Sequence, residues 1–380
     1  MMNSTFNTVL AFTIFAVIAV IGGPVFAQEG DDLKPLQYLD FGASLEAGFQ
    51  GPVVSGEEAS YRQRTTLNVG LDLEKSFGLS ESQLFFQYQN HTGPNGSTII
   101  GDIQRFDRLD DPEYDRLHMF WFQTRLLNKR LRLKLGKVDP LSEFFAPRNA
   151  AHHFGFSTVR SSTIIAQGPP SMSVNAFFDV SPSFQIAFGM YDATFRQGQD
   201  ENTLTLRDFF AAQQYAYFFE GRLQWQEGVW GLPGALKVGY WHLDGDTTRF
   251  DGGVESSTGG FYTTLDQDLT DSGVGAYAQV GFADGEVSPL DFHFGTGIKW
   301  QGFNGARSAD VIGAGVSHAS FSNDASAPFF KKAETAYEVF YKAPVRDNLV
   351  LHGNLQAIDN PGGLGANDAV VFSLRLQWFL

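Results

Sequence analysis

In the stretch RLRLKL, residues 130–135, Arg130, Arg132 and Lys134 alternate with Leu131, Leu133 and Leu135. Cations two residues apart share one face of an extended chain. A guanidinium is a planar fork that donates paired hydrogen bonds to hydroxyls, carboxylates or phosphates. The same spacing sets Arg62 with Arg64, and Trp121 with Gln123 and Arg125. Further along, Glu220 shares a parity with Arg222, Lys237 with Trp241, and Glu334 with Glu338. Donors, acceptors and flat aromatic rings on one set of faces suit reversible polar binding. They also suit plain hydration, so inward charge alone does not name a solute. Trp121 and Trp241 say more, because a ring facing water is costly unless it is used or packed. Catalytic chemistry is poorly served. The histidines at inward parity, His293 and His352, have no serine partner close in sequence. His152 and His153 lack carboxylates at metal-ligand spacing and read as solvated loop. Asp244, Asp246 and Asp251 lack the closing glutamate of a calcium loop and read as an acidic outer loop. No catalytic residue, metal or cofactor is expected.

These faces must be held by strands. The last segment, DAVVFSLRLQWFL, places Val370, Phe372, Leu374, Leu376, Trp378 and Leu380 on one face. LDFGASLEAGF places Leu39, Phe41, Ala43, Leu45, Ala47 and Phe49 likewise. Fifteen such period-2 segments run along the chain, among them 116–127, 130–138, 214–227 and 368–380. Outer-membrane barrels use an even number of strands, and 259–269 supplies a weak sixteenth. Residues 128–129 and 181–182 read as tight turns, whereas 93–115, 139–171 and 193–213 are long. Short turns at one end opposite long loops at the other mark a transmembrane barrel. The expected fold is all-β: a sixteen-stranded, up-and-down, antiparallel barrel of the outer-membrane type. Its closure removes every strand edge, as lipid demands. Sixteen strands imply a lumen wide enough for water rather than a side-chain core.

Composition agrees. Residues 9–28 hold an uncharged apolar run followed by Val25-Phe26-Ala27, an export-signal pattern, although Met1–Thr8 holds no Lys or Arg. A signal peptide is expected over 1–27 and one barrel domain over 28–380, in the bacterial outer membrane. The chain has no cysteine, 37 Phe and 41 Gly, so neither disulfides nor a cysteine-held metal stabilise it. A net charge of −15 argues against nucleic acid as a partner. Outer-membrane lipid is the expected surrounding, and self-association into a homo-oligomer is left open.

The segment ETAYEVFYKAPVRDNLVLHGNLQAIDNPGG, residues 334–363, resembles the carbohydrate-selective porins of the OprB type. GDIQRFD at 101–107, LGKVDPLSEFF at 135–145, VGYWH at 238–242 and GARSADVIGAGVSHA at 305–319 add to the resemblance in order. It implies a sixteen-stranded outer-membrane porin that passes mono- and disaccharides by diffusion. Glu334 and Glu338 match the family's paired glutamates. The chain departs from the pattern at Met119 and Gln123, where the family tends to carry acidic residues, and at its terminal Leu380, where such barrels usually end in Phe. A general or anion-preferring porin is the alternative, since Arg62, Arg64, Arg132 and Lys134 cluster; a barrel enzyme is a remote third.

Two spatial expectations follow from alternation. Segment 139–171 carries SEFF and HHFGF, apolar enough to pack, and should fold into the lumen and set its narrowest point. Arg62, Arg64, Arg125, Arg130, Arg132 and Lys134 should form a basic wall facing Glu334 and Glu338 across the pore. Arg132→Glu with Lys134→Glu should then reverse ion preference.

Overall fold

The computed structural model describes residues 38–52, 60–194, 214–228 and 231–380; the expected signal peptide lies outside them. Sixteen strands form the wall: β1 (Leu39–Pro52), β2 (Ser60–Asp72), β3 (Ser82–Thr92), β4 (Tyr114–Leu126), β5 (Leu131–Val138), β6 (Ser171–Ser181), β7 (Phe184–Asp192), β8 (Tyr215–Trp225), β9 (Gly234–Thr248), β10 (Val254–Asp268), β11 (Val274–Ala283), β12 (Leu290–Gln301), β13 (Val311–Phe321), β14 (Ala333–Arg346), β15 (Leu349–Asp359) and β16 (Ala369–Phe379). Each pairs antiparallel with its sequence neighbours, and β1 pairs with β16 to close the ring. Leu45 lies opposite Trp378 and Ala47 opposite Leu376, so the final alternating segment completes the wall. Leu380 donates its backbone N–H to Ala43 at 2.9 Å, extending the ladder to the last residue.

Alternation sorts the two faces. Val238, Phe261, Phe282, Val339, Phe372 and Leu376 point outward and are exposed, giving the apolar band a bilayer requires. Outward rings pair across strands, as in Phe86 with Phe120 at 4.6 Å and Tyr240 with Phe261 at 4.9 Å. The start of β1 and the end of β16 lie at the end that carries turns such as 182–183 and 347–348, which is the periplasmic end in such barrels. The longest connections among the described residues, 93–113 and 139–170, leave from the opposite end.

Three local expectations need correction. β9 runs on to Thr248 and β10 begins at Val254, so half of the segment 244–253 read as an acidic outer loop is strand, and the rest is the turn over 249–253. Beyond the bilayer both faces of a strand are wet, and period-2 hydrophobicity disappears there. Arg130 lies outside β5, in a turn whose Leu127, Asn128 and Lys129 have positive φ. Its guanidinium donates to the Asp179 and Val180 carbonyls at 3.0 Å, at the periplasmic rim. The lumen does hold a side-chain core, in which Phe144, Phe145, Ile164, Phe177, Phe218, Trp241 and Tyr262 pack together. The wall alone could not fill so wide a ring. The apolar residues of 139–170, brought inside, do so.

A ring of sixteen strands without a free edge unfolds only by opening the whole ladder. The folded chain is therefore expected to migrate faster than the boiled chain in detergent gels, with a circular dichroism spectrum dominated by strand. A mainly helical spectrum, or a single mobility before and after boiling, would contradict this fold.

Candidate functional site

Two loops enter the barrel, and inward side chains hold them by their backbones. Glu338 accepts from the Phe154 N–H at 2.7 Å and the Gly155 N–H at 3.3 Å. Asp266 takes the Asn149 N–H and its side-chain amide, each at 2.7 Å. Glu220 accepts from the Phe145 N–H at 3.1 Å and the Tyr262 hydroxyl at 2.7 Å, while Lys237 donates to the Ala146 carbonyl at 2.7 Å. Glu143 of this loop is gripped by Arg132, at 2.8 Å, and by Lys134. Burial acts to raise the Glu143 pKa, but these two cations outweigh it, and the carboxyl sits below the usual range.

Glycines on the inward parity make room for the loop. A Cβ at Gly281 would overlap the Ser161 and Thr163 hydroxyls, and one at Gly297 would stand 2.9 Å from the His153 ring. His153, expected in a solvated loop, is instead fully buried between Tyr277 and Phe340, with Nδ1 3.6 Å from Glu338.

Loop 93–113 is held on the other side. Glu334 accepts from Ile103 at 2.9 Å, Gln104 at 3.0 Å and Gly362 at 2.6 Å. Arg62 pairs with Asp110, and Arg375 with Asp107. The loops also meet: the Arg108 N–H donates to the Phe154 carbonyl at 3.0 Å.

Between the loops and the wall of β16, β1, β2 and β4 remains a cavity of about 700 Å³, within the size range of ligand sites. It is lined by six arginines, Arg64, Arg105, Arg108, Arg116, Arg160 and Arg375, against four carboxylates, Glu46, Asp111, Glu113 and Asp139. Glu46 orients Arg64 at 2.9 Å, Asp111 orients Arg105 at 2.7 Å, and the Arg116 guanidinium lies 4.1 Å over the Tyr114 ring. Burial, then the nearby Arg375, pulls Arg108 down to about 10; burial, then Arg105, pulls Arg160 down to about 9. Both remain charged at neutral pH. Burial pushes Asp139 up to about 6.

Asp139 therefore gains a proton as pH falls through about 6, and the cavity loses a negative charge. Anion-over-cation permeability should rise between pH 7 and pH 5, read from reversal potentials in a salt gradient. Asp139→Asn, which keeps an oxygen for the Leu141 N–H, should flatten that rise. A profile unchanged by the substitution would assign the titration elsewhere.

The carbohydrate-selective porin model of the OprB family matches residues 56–380. The chain belongs to the carbohydrate-selective porin family. It is 22% identical to Porin B of Pseudomonas aeruginosa over 92% of this chain and 87% of that protein. The structure of Pseudomonas putida OprB at high pH superposes with a TM-score of 0.81 at 18% identity, covering 92% of this chain and 96% of that one. An engineered Rh. blastica porin superposes at 0.55 with 12% identity, over 90% of this chain and all of that one. The family makes this chain an outer-membrane channel for carbohydrates.

Within this porin, His293 does find a serine that sequence proximity did not reveal: Ser317 Oγ lies 2.8 Å from Nε2. Both are buried, and Ser317 donates to Gln104 at 2.6 Å, so the pair serves to dock loop 93–113.

Of the residues singled out from sequence, Arg64 borders the arginine cavity. Trp121 is half-buried in the lumen, with Lys134 Nζ 3.9 Å above its ring. Gln123 accepts from Arg132 at 3.1 Å, and Arg125 is exposed near the periplasmic mouth. Arg62, Arg132, Lys134, Glu220, Arg222, Lys237, Trp241, Glu334 and Glu338 all engage the inserted loops or the core they form. The expected basic wall facing free carboxylates across open water is thus replaced by cations and carboxylates spent on loop docking. Arg105, Arg108 and Arg160 escaped sequence reading because they lie in loops. Arg116 escaped because a bulge at His118 switches parity: Gln87 pairs with Met119 but Tyr88 with Leu117. Arg375 alternated on the polar face of the last strand and could have been named.

Proposed function

We propose that mono- and disaccharides diffuse through the arginine-lined cavity, and that Arg64, Arg116 and Arg375 on the wall and Arg105, Arg108 and Arg160 on the loops form its contacts. The observation that carries this reading is the line of guanidiniums, several with their planes fixed by a carboxylate or a ring. A fixed fork can donate to two adjacent sugar hydroxyls with little ordering cost. Carboxylates among the arginines supply acceptors, so a polyol can exchange its water for protein partners of both kinds.

A second reading is supported by the same cavity. Six arginines against four carboxylates make it net basic, which favours small anions despite the acidic chain as a whole. Planar-bilayer conductance of the purified protein, with and without a panel of neutral sugars, separates the two. Concentration-dependent, saturating block by hexoses or disaccharides supports the sugar path. Anion preference with no block by any sugar supports a general anion pore.

A further inference from the structure

We propose a second carbohydrate station at the periplasmic mouth, on β1–β3, with Phe85 as its stacking platform and Asp40, Asn68 and Gln87 as hydroxyl partners. It rests on the reading of this chain as a sugar channel.

The station is a cavity of about 600 Å³, bordered by Asp40, Asn68, Gln83, Phe85, Gln87 and Trp121. Its platform is built by a row of side chains across the sheet. Phe85 stacks on Trp121 with centroids 4.9 Å apart and planes 21° from parallel. Lys134 Nζ lies 3.9 Å from the Trp121 ring centroid. Because β4 lies between β3 and β5, Lys134 and Phe85 approach Trp121 from opposite sides. Trp121 is thereby covered and braced. The second face of Phe85 looks toward β2, where its ladder partner is Gly70, a residue without a side chain. Beyond it, Gly70 pairs with Asp40 of β1. The glycine leaves a gap between an aromatic face and a carboxylate.

The polar groups around that gap are positioned and partly unspent. The Gln87 side-chain amide donates to the Asn68 carbonyl oxygen at 2.8 Å. This fixes both amides and leaves the Asn68 NH₂ group to donate. Asp40 offers two acceptor oxygens. A flat ring for the C–H face of a sugar, with acceptors and donors at its edge, is the arrangement a pyranose needs.

Its charge is the opposite of the arginine cavity's. Asp40 and Asp72 border it, with Lys75 the cation, held by Asp72 at 2.8 Å. Glu46 of the arginine cavity and Asp40 lie six residues apart on β1, or about 20 Å along the strand. A solute leaving the basic cavity along this wall therefore meets a neutral-to-acidic niche. Neutral sugars can pass from one to the other, whereas an anion favoured by the first is disfavoured by the second.

The test is sugar-induced current noise in single channels, recorded with glucose or a disaccharide on either side. Two stations predict two relaxation components in the wild-type protein. Phe85→Ala should abolish or speed one component and raise the half-blocking concentration for sugar added at the periplasmic side about five-fold. Phe85→Tyr should restore it. Asp40→Asn should weaken the discrimination between glucose and a sugar acid of similar size. Gel mobility before and after boiling confirms that each barrel is folded. A wild-type sugar response left unchanged by Phe85→Ala overturns the station while sparing the sugar channel. No wild-type response to any sugar overturns both.

Discussion

Removing about ten residues centred on His153 should raise single-channel conductance roughly two-fold or more and weaken sugar block, with the barrel intact. The segment carries the contacts that hold loop 139–170 across the lumen. They are the Asn149 bonds to Asp266, the Phe154 and Gly155 N–H groups on Glu338, and the His153 ring over Gly297. The wall itself loses no ladder hydrogen bond, because strand pairing does not involve the loop. Carboxylates left by the deletion, Glu338 and Asp266, would regain water from the widened lumen instead of staying buried and unpaired. Gly281→Leu tests the same point without shortening the chain, since its side chain would take the place of Ser161 and Thr163. Unchanged conductance with unchanged sugar block in both variants would mean that this loop does not bound the conducting path.

Arg108→Glu with Arg116→Glu should turn anion preference into cation preference. The cavity would pass from six arginines and four carboxylates to four and six. Both side chains line the open cavity, one from each side of it, so the sign of the local field changes with little change in width. Reversal potentials in a salt gradient should change sign. An unmoved reversal potential would place the ion path elsewhere. Arg132→Glu with Lys134→Glu, the pair that alternation first suggests, should behave differently. Those cations clamp the buried Glu143, and replacing both would gather three carboxylates in one buried place. Breaking such a buried arrangement costs about 3–5 kcal/mol. The expected result is a displaced loop and larger conductance, with selectivity altered only as a consequence.

The strand order could be read because lipid on one side and polar contents on the other impose period 2 wherever a strand crosses the bilayer. Residues 368–380 show it without a break, and the structure closes the ring with them. Inward direction was legible for the same reason. What an inward charge does was not. Glu334 and Arg64 look alike in sequence, yet one is covered by loop backbone and the other borders open space. That difference depends on loops whose partners lie far away in the chain. Loop 139–170 announced itself through Phe144, Phe145 and Phe154, which solvent would not tolerate. Loop 93–113, with GDIQRFDRLDD at 101–111, gave a weaker sign, because its buried Phe106 and Leu109 stand among charged residues whose carboxylates share in its docking. The bulge at His118 was silent: Leu117 and Met119 flank it, and an apolar pair on either side hides a change of parity.

The loop anchors also set an order of assembly. Phe154 and Glu338 are 184 residues apart, and Phe106 and Gln356, joined at 2.7 Å, are 250 apart. A nascent chain that has formed β1–β7 holds both loops but lacks β14 and β15, which receive them. Contacts of such separation form late, after much chain entropy has been lost. Until then Phe154, whose ring packs on His352 of β15, is apolar surface without a home. Handling factors that shield a porin in transit would therefore need to cover these loops as well as the strands. The passage can acquire its final width only in the last stage of folding, once the ring has joined β1 to β16 and the lumen exists to be filled.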